Sequence, residues 1–222
     1  MPLRLLKFGL QKEYTEPRMF HSPEHLRDHY DVVIIGGGGH GLAAAHYLAN
    51  EHGITDVAVL EQRYIGHGGT GRNTSIIRSN YLTEEGAKFY QFSVDLYRDL
   101  SRQLDFNLFY SQRGHFTLAH SPASLRTQRW RAEVNKHLGI DSEVVGPEFV
   151  QKTIPQIDLT CGGHQPPILG ALYHPPGAIA RHDAVAWAYA RGADSKGVEI
   201  HQRTAVTGIE VADGAVMGVH TD

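Results

Sequence analysis

The chain has 222 residues, enough for one domain or two small ones, and its 41% hydrophobic content is ordinary for a globular core. A formal charge of -3 gives no reason to expect binding to nucleic acid or to a membrane surface, and no apolar stretch approaches the length that spans a bilayer. The single cysteine, Cys161, cannot form an internal disulfide, which favours a reducing compartment and predicts a cytoplasmic protein. The 15 histidines lack metal-ligand spacing, so no metal site is predicted.

The beginning of the chain predicts a βαβ unit. Residues 1–29 are polar and marked by prolines, and we expect them to form an arm. Tyr30–Gly36 and Val57–Glu61 are short apolar runs rich in β-branched residues, which is typical of buried strands. Between them, the alanine- and leucine-rich segment Leu42–Glu51 predicts a helix that ends at Gly53. Strand, helix and strand in this order indicate the α/β fold class.

Further along the chain, helices and strands alternate with two loops. Helices are expected at Glu84–Leu104, Ser121–Leu138, Gly146–Lys152 and Arg181–Ser195, with Ser121 as a candidate cap. Strands are expected at Gly114–Ala119, Gly170–Tyr173, Val198–Gln202, Ala205–Val211 and Val216–His220, and loops at Gly66–Gly71 and Ile157–Gly170. The last two strands are predicted to form a hairpin across Asp213 and Gly214.

The glycine run after the first strand matches the dinucleotide fingerprint G-x-G-x-x-G. Gly36 would allow the tight turn, Gly38 the approach of backbone to a pyrophosphate, and Gly41 the close packing of helix against strand. The amides of Gly39 and His40 would then point at a phosphate from a helix N terminus.

An acidic residue completes this pattern. Glu61 lies at the end of the second strand, about 20 residues beyond the last glycine, where a carboxylate accepts hydrogen bonds from ribose hydroxyls. Such an acid disfavours a 2′-phosphate, so NADP is not expected. The fingerprint alone leaves FAD and NAD open, and a glycine turn that binds no ligand is the structural alternative.

Four separated motifs carry a resemblance to a known family: GGGGHGLAAAHYLA, GRNTSIIRSNY, SQRGHFTLAH and ARHDAVAWAYARGAD. They resemble the D-amino-acid-oxidase-like flavoproteins and, among these, the beta subunits of heterotetrameric sarcosine oxidases. The resemblance runs from Tyr30 to Asp222 and covers only the N-terminal half of such a subunit. It implies a Rossmann-like FAD-binding domain formed by 30–105 and 176–222, with part of an α+β substrate domain, 106–175, inserted. The C-terminal part of that fold is expected to be missing, in a fragment or in a truncated gene product.

The resemblance implies two flavins. FAD would bind noncovalently through the fingerprint, with further contacts from Gly69, Thr70 and Thr74 of the glycine-rich loop and from the backbone of Val206. FMN would be attached covalently to a histidine. The histidine of the RHDAVAW motif, His182, is the preferred candidate, and His174 of YHPPG competes with it.

The resemblance also implies a substrate and partners. Arg78 matches an arginine that pairs with the substrate carboxylate in related single-chain enzymes, a role that suits a planar guanidinium. The implied reaction is the oxidative demethylation of sarcosine to glycine, formaldehyde and hydrogen peroxide, with electrons passing from FAD to FMN and then to oxygen. Alpha, gamma and delta subunits would be the partners, and no catalytic acid or base is assigned. A single-flavin glycine or dimethylglycine oxidase and a non-catalytic nucleotide-binding module are the alternatives.

Overall fold

The structure is a computed structural model that describes residue 10 and residues 19–222. The described residues fall into two compact units. The first contains the residues up to Ile65 together with Tyr189–Asp222, and the second contains Gly66–Ala188. Within the described ranges, every helix is too short or too polar to cross a bilayer.

The bounds of the secondary structure follow the predicted pattern with additional short strands. The described α-helices are α1 (Gly39–His52), α2 (Glu84–Gln103), α3 (Pro122–His137), α4 (Pro147–Thr153) and α5 (His182–Asp194). The strands are β1 (Val32–Ile35), β2 (Val57–Glu61), β3 (Ile76–Ile77), β4 (Ser111–Gln112), β5 (His115–Ala119), β6 (Glu143–Val145), β7 (Gly170–His174), β8 (Ala178–Ile179), β9 (Glu199–Gln202), β10 (Val206–Ala212) and β11 (Ala215–Thr221). A short 3₁₀ turn at Gly69–Arg72 begins in the first predicted loop and ends one residue beyond it, and another at Cys161–Gly163 lies within the second predicted loop.

The first unit is built on a parallel sheet with the strand order β1-β2-β9. The central strand β2 is buried along its whole length, as a continuous apolar run in a parallel sheet requires. Helix α1 connects β1 to β2 and packs against both strands, burying Leu42, Ala45 and Ala49. The predicted βαβ unit and the α/β fold class are therefore confirmed, and α1 starts earlier than expected because Gly39 already has helical backbone.

Two other features of the first unit were also predicted. Strands β10 and β11 form an antiparallel hairpin, and its turn residues Asp213 and Gly214 both have positive φ angles of 52° and 77°. Positive φ at both positions is what a two-residue hairpin turn of type I′ requires. Residues 19–29 of the predicted arm contain neither helix nor strand, and Arg27 ties them to the sheet through ion pairs with Asp56 and Glu199. The remainder of the arm, apart from residue 10, lies outside the described residues.

The second unit contains two antiparallel sheets, β5-β7-β6 and β3-β8-β4. Helix α3 packs against the first sheet, and α4 packs against its central strand β7. The side chains of Val145, Val150 and Ala171 form a small core there, against which Phe116 and Tyr173 pack. Antiparallel strands with helices on them make this unit α+β, as expected for the inserted segment.

Helix starts in this unit match the predicted signals. The hydroxyl of Ser121 accepts a hydrogen bond from the amide of Ser124 at 3.1 Å, so Ser121 is the predicted cap of α3. Helix α4 begins at Pro147, as the sequence predicts. The compact units place residues 66–105 and 176–188 with the inserted segment, whereas the sequence-based assignment groups them with the FAD-binding part. That these residues contact the cofactor stays a prediction.

Candidate functional site

The glycine turn of the first unit has the geometry of a close-approach loop. The amide of Gly36 continues the sheet by donating to the carbonyl of Leu60 at 2.8 Å, and its φ of +106° is one that side chains rarely allow. A Cβ atom at Gly41 would lie 2.0 Å from the carbonyl oxygen of Gly36, so helix α1 packs too tightly on the turn for any other residue. Both glycines therefore have the structural roles that the fingerprint assigns to them.

The N terminus of helix α1 is suited to an anion. Gly38 is the N-cap residue with extended backbone, it has no side chain with which to cap the helix, and the first turn contains no acidic residue. The first amides of a helix lack partners within the helix, and the helix dipole makes this end positive. A glycine-rich helix start without an acidic side chain fits a phosphate group. The side chain of His40, the second residue of the helix, is exposed.

Glu61 lies beside this turn at the end of β2, and its side chain is only 7% exposed. Its carboxylate accepts hydrogen bonds from the amide of Gly37 at 2.9 Å and from the amide of Arg63 at 2.9 Å. Each carboxylate oxygen has a second lone pair that could accept from a ribose hydroxyl. The sequence did not reveal the link to Gly37, where an added Cβ would lie 2.9 Å from the Cβ of Glu61.

The segment before β10 contacts the backbone of Glu61. The amide of Thr204 donates to the backbone carbonyl of Glu61 at 2.9 Å, and the amide of Ile65 donates to the side chain of Gln202 at 3.0 Å. Val206 follows two positions after Thr204 as the first residue of β10. The first unit thus brings together the fingerprint glycines, Glu61 and the approach to Val206.

The remaining predicted cofactor contacts lie in the second unit. Gly69 and Thr70 are in the 3₁₀ turn Gly69–Arg72, and the carbonyl of Thr70 accepts a hydrogen bond from the Asn73 side chain at 2.7 Å. Thr74 is exposed and follows directly. These residues form a single ordered loop, which makes a shared role in ligand binding feasible.

His182, the first residue of α5, is partly exposed and held by a hydroxyl. Its Nδ1 atom lies 2.9 Å from the hydroxyl oxygen of Ser75. Ser75 has a φ of +59°, an unusual conformation for a residue with a side chain, and its amide donates to the Asn73 side chain at 2.7 Å. Sequence reasoning missed Ser75, because nothing in its local pattern predicts a contact with α5.

His174, the competing histidine, has a different environment. It is completely buried, its Nδ1 atom donates to the carbonyl of Asp141 at 2.6 Å, and its Nε2 atom accepts from the amide of Ser79 at 3.3 Å. Burial lowers the pKa of His174, although the hydrogen bond to the carbonyl of Asp141 acts in the opposite direction. The lowered pKa favours the neutral form of the ring. Both ring nitrogens are therefore occupied in holding the fold together.

Arg78 follows β3 and is oriented by its neighbours. Its Nη1 atom donates to the side-chain oxygen of Asn80 at 2.8 Å, and its guanidinium lies 4.6 Å from the centre of the Tyr81 ring. Within the described residues, no carboxylate lies within ion-pair distance of Arg78, and no group of three metal-binding side chains occurs. Arg78 is therefore a positioned cation without an anionic partner from the described chain.

The chain is similar to known proteins over most of its length. A family model described as FAD dependent oxidoreductase matches residues 31–222. The chain is 49% identical to the beta subunit of sarcosine oxidase from Rhizobium meliloti (strain 1021) over 99% of its length, and 48% identical to the same subunit from an Arthrobacter species over 91%. These alignments cover 52% and 50% of the relatives, so the chain spans about half their length.

Among solved structures, L-proline dehydrogenase from P. horikoshii is similar with a TM-score of 0.79 and 26% identity, over 89% of this chain and 50% of that protein. Glycine oxidase from Bacillus cereus ATCC 14579 superposes with a TM-score of 0.76 at 24% identity, over 87% of this chain and 51% of that protein. The similarity to glycine oxidase shows that the two proteins share a fold.

Proposed function

The chain belongs to the FAD dependent oxidoreductase family, and we propose that it binds FAD and takes part in the oxidation of a secondary amino acid, with sarcosine as the substrate. The observation that carries FAD binding is the glycine-rich N terminus of α1 beside the buried carboxylate of Glu61. A pyrophosphate fits the first, and an adenosine ribose fits the second. The choice of sarcosine is supported by the 42–49% identity with three bacterial sarcosine oxidase beta subunits.

Each part of the proposed site has a defined task. The amides at the start of α1 bind the pyrophosphate, Glu61 orients the ribose, and the Val206 backbone binds adenine. In the second unit, the loop of Gly69, Thr70 and Thr74 supplies further contacts to FAD. When bound, FAD would supply a hydride acceptor for the amine, and FMN would supply an electron carrier between FAD and oxygen. The proposed overall reaction converts sarcosine, water and oxygen into glycine, formaldehyde and hydrogen peroxide.

Arg78 is proposed to bind the substrate carboxylate. Its guanidinium is fixed on one face by the ring of Tyr81 and at one edge by Asn80, which leaves its other N–H groups for a ligand. A fixed fork of this kind orients the amino acid, so that its methylamino carbon is presented to the cofactor in one way.

The test is spectroscopic and uses the complete enzyme complex. The proposal expects a flavin absorbance spectrum that bleaches when sarcosine is added without oxygen, together with formaldehyde release. Bleaching by dimethylglycine or glycine but not by sarcosine would support the related single-flavin oxidases instead. Bound flavin that no amine reduces would indicate a non-catalytic nucleotide-binding module.

We further propose that His182 carries FMN covalently at an interface with an alpha subunit, in an assembly that includes gamma and delta subunits. The contrast between the histidines supports this assignment. His182 is partly exposed, and its Nε2 atom has no hydrogen-bond partner among the described residues, whereas His174 is buried with both nitrogens engaged. A substituent on Nε2 of His182 would break no hydrogen bond within the described residues, whereas a substituent on either nitrogen of His174 would break one.

Trypsin separates the two candidates. Cleavage after Lys152, Arg181 and Arg191 gives one peptide, 153–181, with His174 and a second, 182–191, with His182. Mass spectrometry of the digested complex is expected to find the flavin adduct on the second peptide. An adduct on the first peptide, or active enzyme without any adduct, would reject His182.

A further inference from the structure

A second arginine lies near Arg78 inside the second unit. Arg131 is on helix α3, which packs against the sheet that contains His115 and His174. The side chain of Asn135, one helical turn after Arg131 on α3, donates to the backbone carbonyl of Tyr81 at 2.6 Å. His174, the strand partner of His115, accepts a hydrogen bond from the amide of Ser79. These contacts bring α3 and β5 to the chain segment that contains Arg78. Asn80, which is completely buried, joins this group through its 2.8 Å hydrogen bond with Arg78.

This group contains buried nitrogen atoms that lack partners. The Nε atom of Arg131, the Nδ2 atom of Asn80 and the Nδ1 atom of His115 are buried and make no hydrogen bond. In the described part of the chain, neither Arg78 nor Arg131 has a carboxylate within 4.0 Å. Buried N–H groups are costly when they have no acceptor, and a partly buried cation is costly without an anion.

The charge that this group of side chains leaves unbalanced is positive. Burial, followed by the charge of Arg78, lowers the pKa of Arg131. Burial, then the charges of Arg78, His174 and Arg131, lower the pKa of His115 to about 4. His115 is therefore neutral at pH 7, and the positive potential comes from the two arginines. A small anion with several acceptor lone pairs would satisfy the charge and the open N–H groups together.

We infer that Arg78, Asn80 and Arg131 form a carboxylate-binding site, and that this site takes the carboxylate of the amino acid substrate; the second part rests on the proposed function. A carboxylate offers about four acceptor positions on two oxygens. Arg78 supplies the charged N–H groups that Asn80 does not engage, Arg131 supplies Nε, and Asn80 supplies the N–H groups of its amide. Asn80 and Arg131 thus act with Arg78 as binding residues for the substrate.

The inference is tested in the complete enzyme with two measurements, acetate binding and sarcosine turnover. Acetate carries the carboxylate without the amine, and calorimetry measures its affinity even if turnover is absent. Arg131→Gln is expected to weaken acetate binding and raise the KM for sarcosine by about 10–100-fold, the effect of losing one charge-assisted hydrogen bond, with a smaller change in kcat. Arg131→Lys should recover part of the loss because it keeps the charge. Arg129→Gln removes an exposed arginine from the same helix and should change neither quantity.

Asn80→Asp gives a second and opposite test. It places a carboxylate among the arginines, where it competes with the ligand and pairs with the unpartnered cations. We expect acetate affinity to fall by at least about 10-fold while the thermal midpoint is unchanged or higher. Acetate affinity and KM that match wild type in both Arg131→Gln and Asn80→Asp would overturn the inference, even if stability changed. Wild-type enzyme that binds acetate but does not oxidise sarcosine would overturn the proposed substrate and leave the carboxylate site supported.

Discussion

Replacing Glu61 with glutamine separates two roles that its position combines. The carboxylate accepts two backbone hydrogen bonds, from Gly37 and Arg63, before any cofactor is present. The amide of glutamine has nearly the same shape but only one oxygen, and its NH₂ group cannot accept from the second backbone amide. One charge-assisted bond is lost and a buried N–H group is left unpaired, since the residue is only 7% exposed.

The expected cost follows from these contacts. Loss of one hydrogen bond to a charged group lowers the free energy of unfolding of the cofactor-free protein by about 1–3 kcal/mol. Glu61→Ala removes both acceptors and should cost more than Glu61→Gln. If Glu61 also accepts from the ribose, FAD affinity falls by a further 1–3 kcal/mol or so, which is roughly a 5- to 150-fold increase in Kd.

Urea unfolding without cofactor measures the first effect, and FAD titration under folding conditions measures the second. Glu51→Gln, an exposed acid at the end of α1, is the matched control and should change neither quantity. A Glu61→Gln protein that loses stability yet binds FAD as wild type does would show that the carboxylate only holds the glycine turn. Unchanged stability would contradict the two backbone hydrogen bonds themselves.

Three other predictions follow from close contacts and titration. Gly41→Ala forces a Cβ to within 2.0 Å of the Gly36 carbonyl oxygen, so α1 must shift, and thermal unfolding should show a loss of at least about 1–3 kcal/mol. His115 titrates near pH 6.5 when unfolded but about 4 when folded, so the unfolded state binds the proton more tightly and stability falls as pH drops from 6.5 to 4. His115→Gln should flatten that part of the stability profile measured by urea unfolding. Ser75→Ala frees Nδ1 of His182 and should lower the fraction of peptide 182–191 that carries flavin, measured by mass spectrometry.

Each of these predictions has a matched control. Gly218→Ala adds a Cβ to strand β11 where no atom lies within 4 Å, so it should be tolerated. His137→Gln removes an exposed histidine at the end of α3 and should leave the pH profile between 4 and 6.5 as in wild type. Ser93→Ala removes a hydroxyl that bonds only within α2 and should not change flavin attachment. Equal effects of a variant and its control would reject the corresponding contact as the cause.

The βαβ unit was predictable from sequence because independent local signals agree there. An apolar strand, a glycine turn, an alanine-rich helix and a second strand each have a pattern that can be recognised within a few residues. The short strands β3, β4, β6 and β8 were missed, since two or three residues show no periodicity. Strands β3, β4 and β8 form because Ala178–Ile179 pairs with both Ile76–Ile77 and Ser111–Gln112, which are distant in sequence. Strand β6 forms because it pairs with β7.

The candidate site also contains some residues that were predictable from sequence and others that were not. Gly36, Gly41 and Glu61 are recognisable because a known spacing joins them along one βαβ unit. Ser75 and Arg131 could not be identified, because their partners come from other elements of the second unit. Only the fold brings Ser75 to His182, and only the fold brings the helix that carries Arg131 to the segment that contains Arg78. Long-range contacts of single polar side chains leave no local pattern in a sequence.

The two units differ in the charge they offer, and this difference matches the chemistry of their proposed ligands. At α1 the first unit offers backbone amides, which suit phosphates, and a single carboxylate in Glu61, which suits neutral hydroxyls and repels an additional phosphate. The second unit offers Arg78 and Arg131 without a nearby acid, which suits a free carboxylate and would disfavour a cationic amine alone. An amino acid carries both charges, so the arginines can hold its carboxylate only if the amine lies away from them. The carboxylate then fixes which end of the substrate is available for oxidation, and this is why replacing Arg131 should affect KM more than kcat.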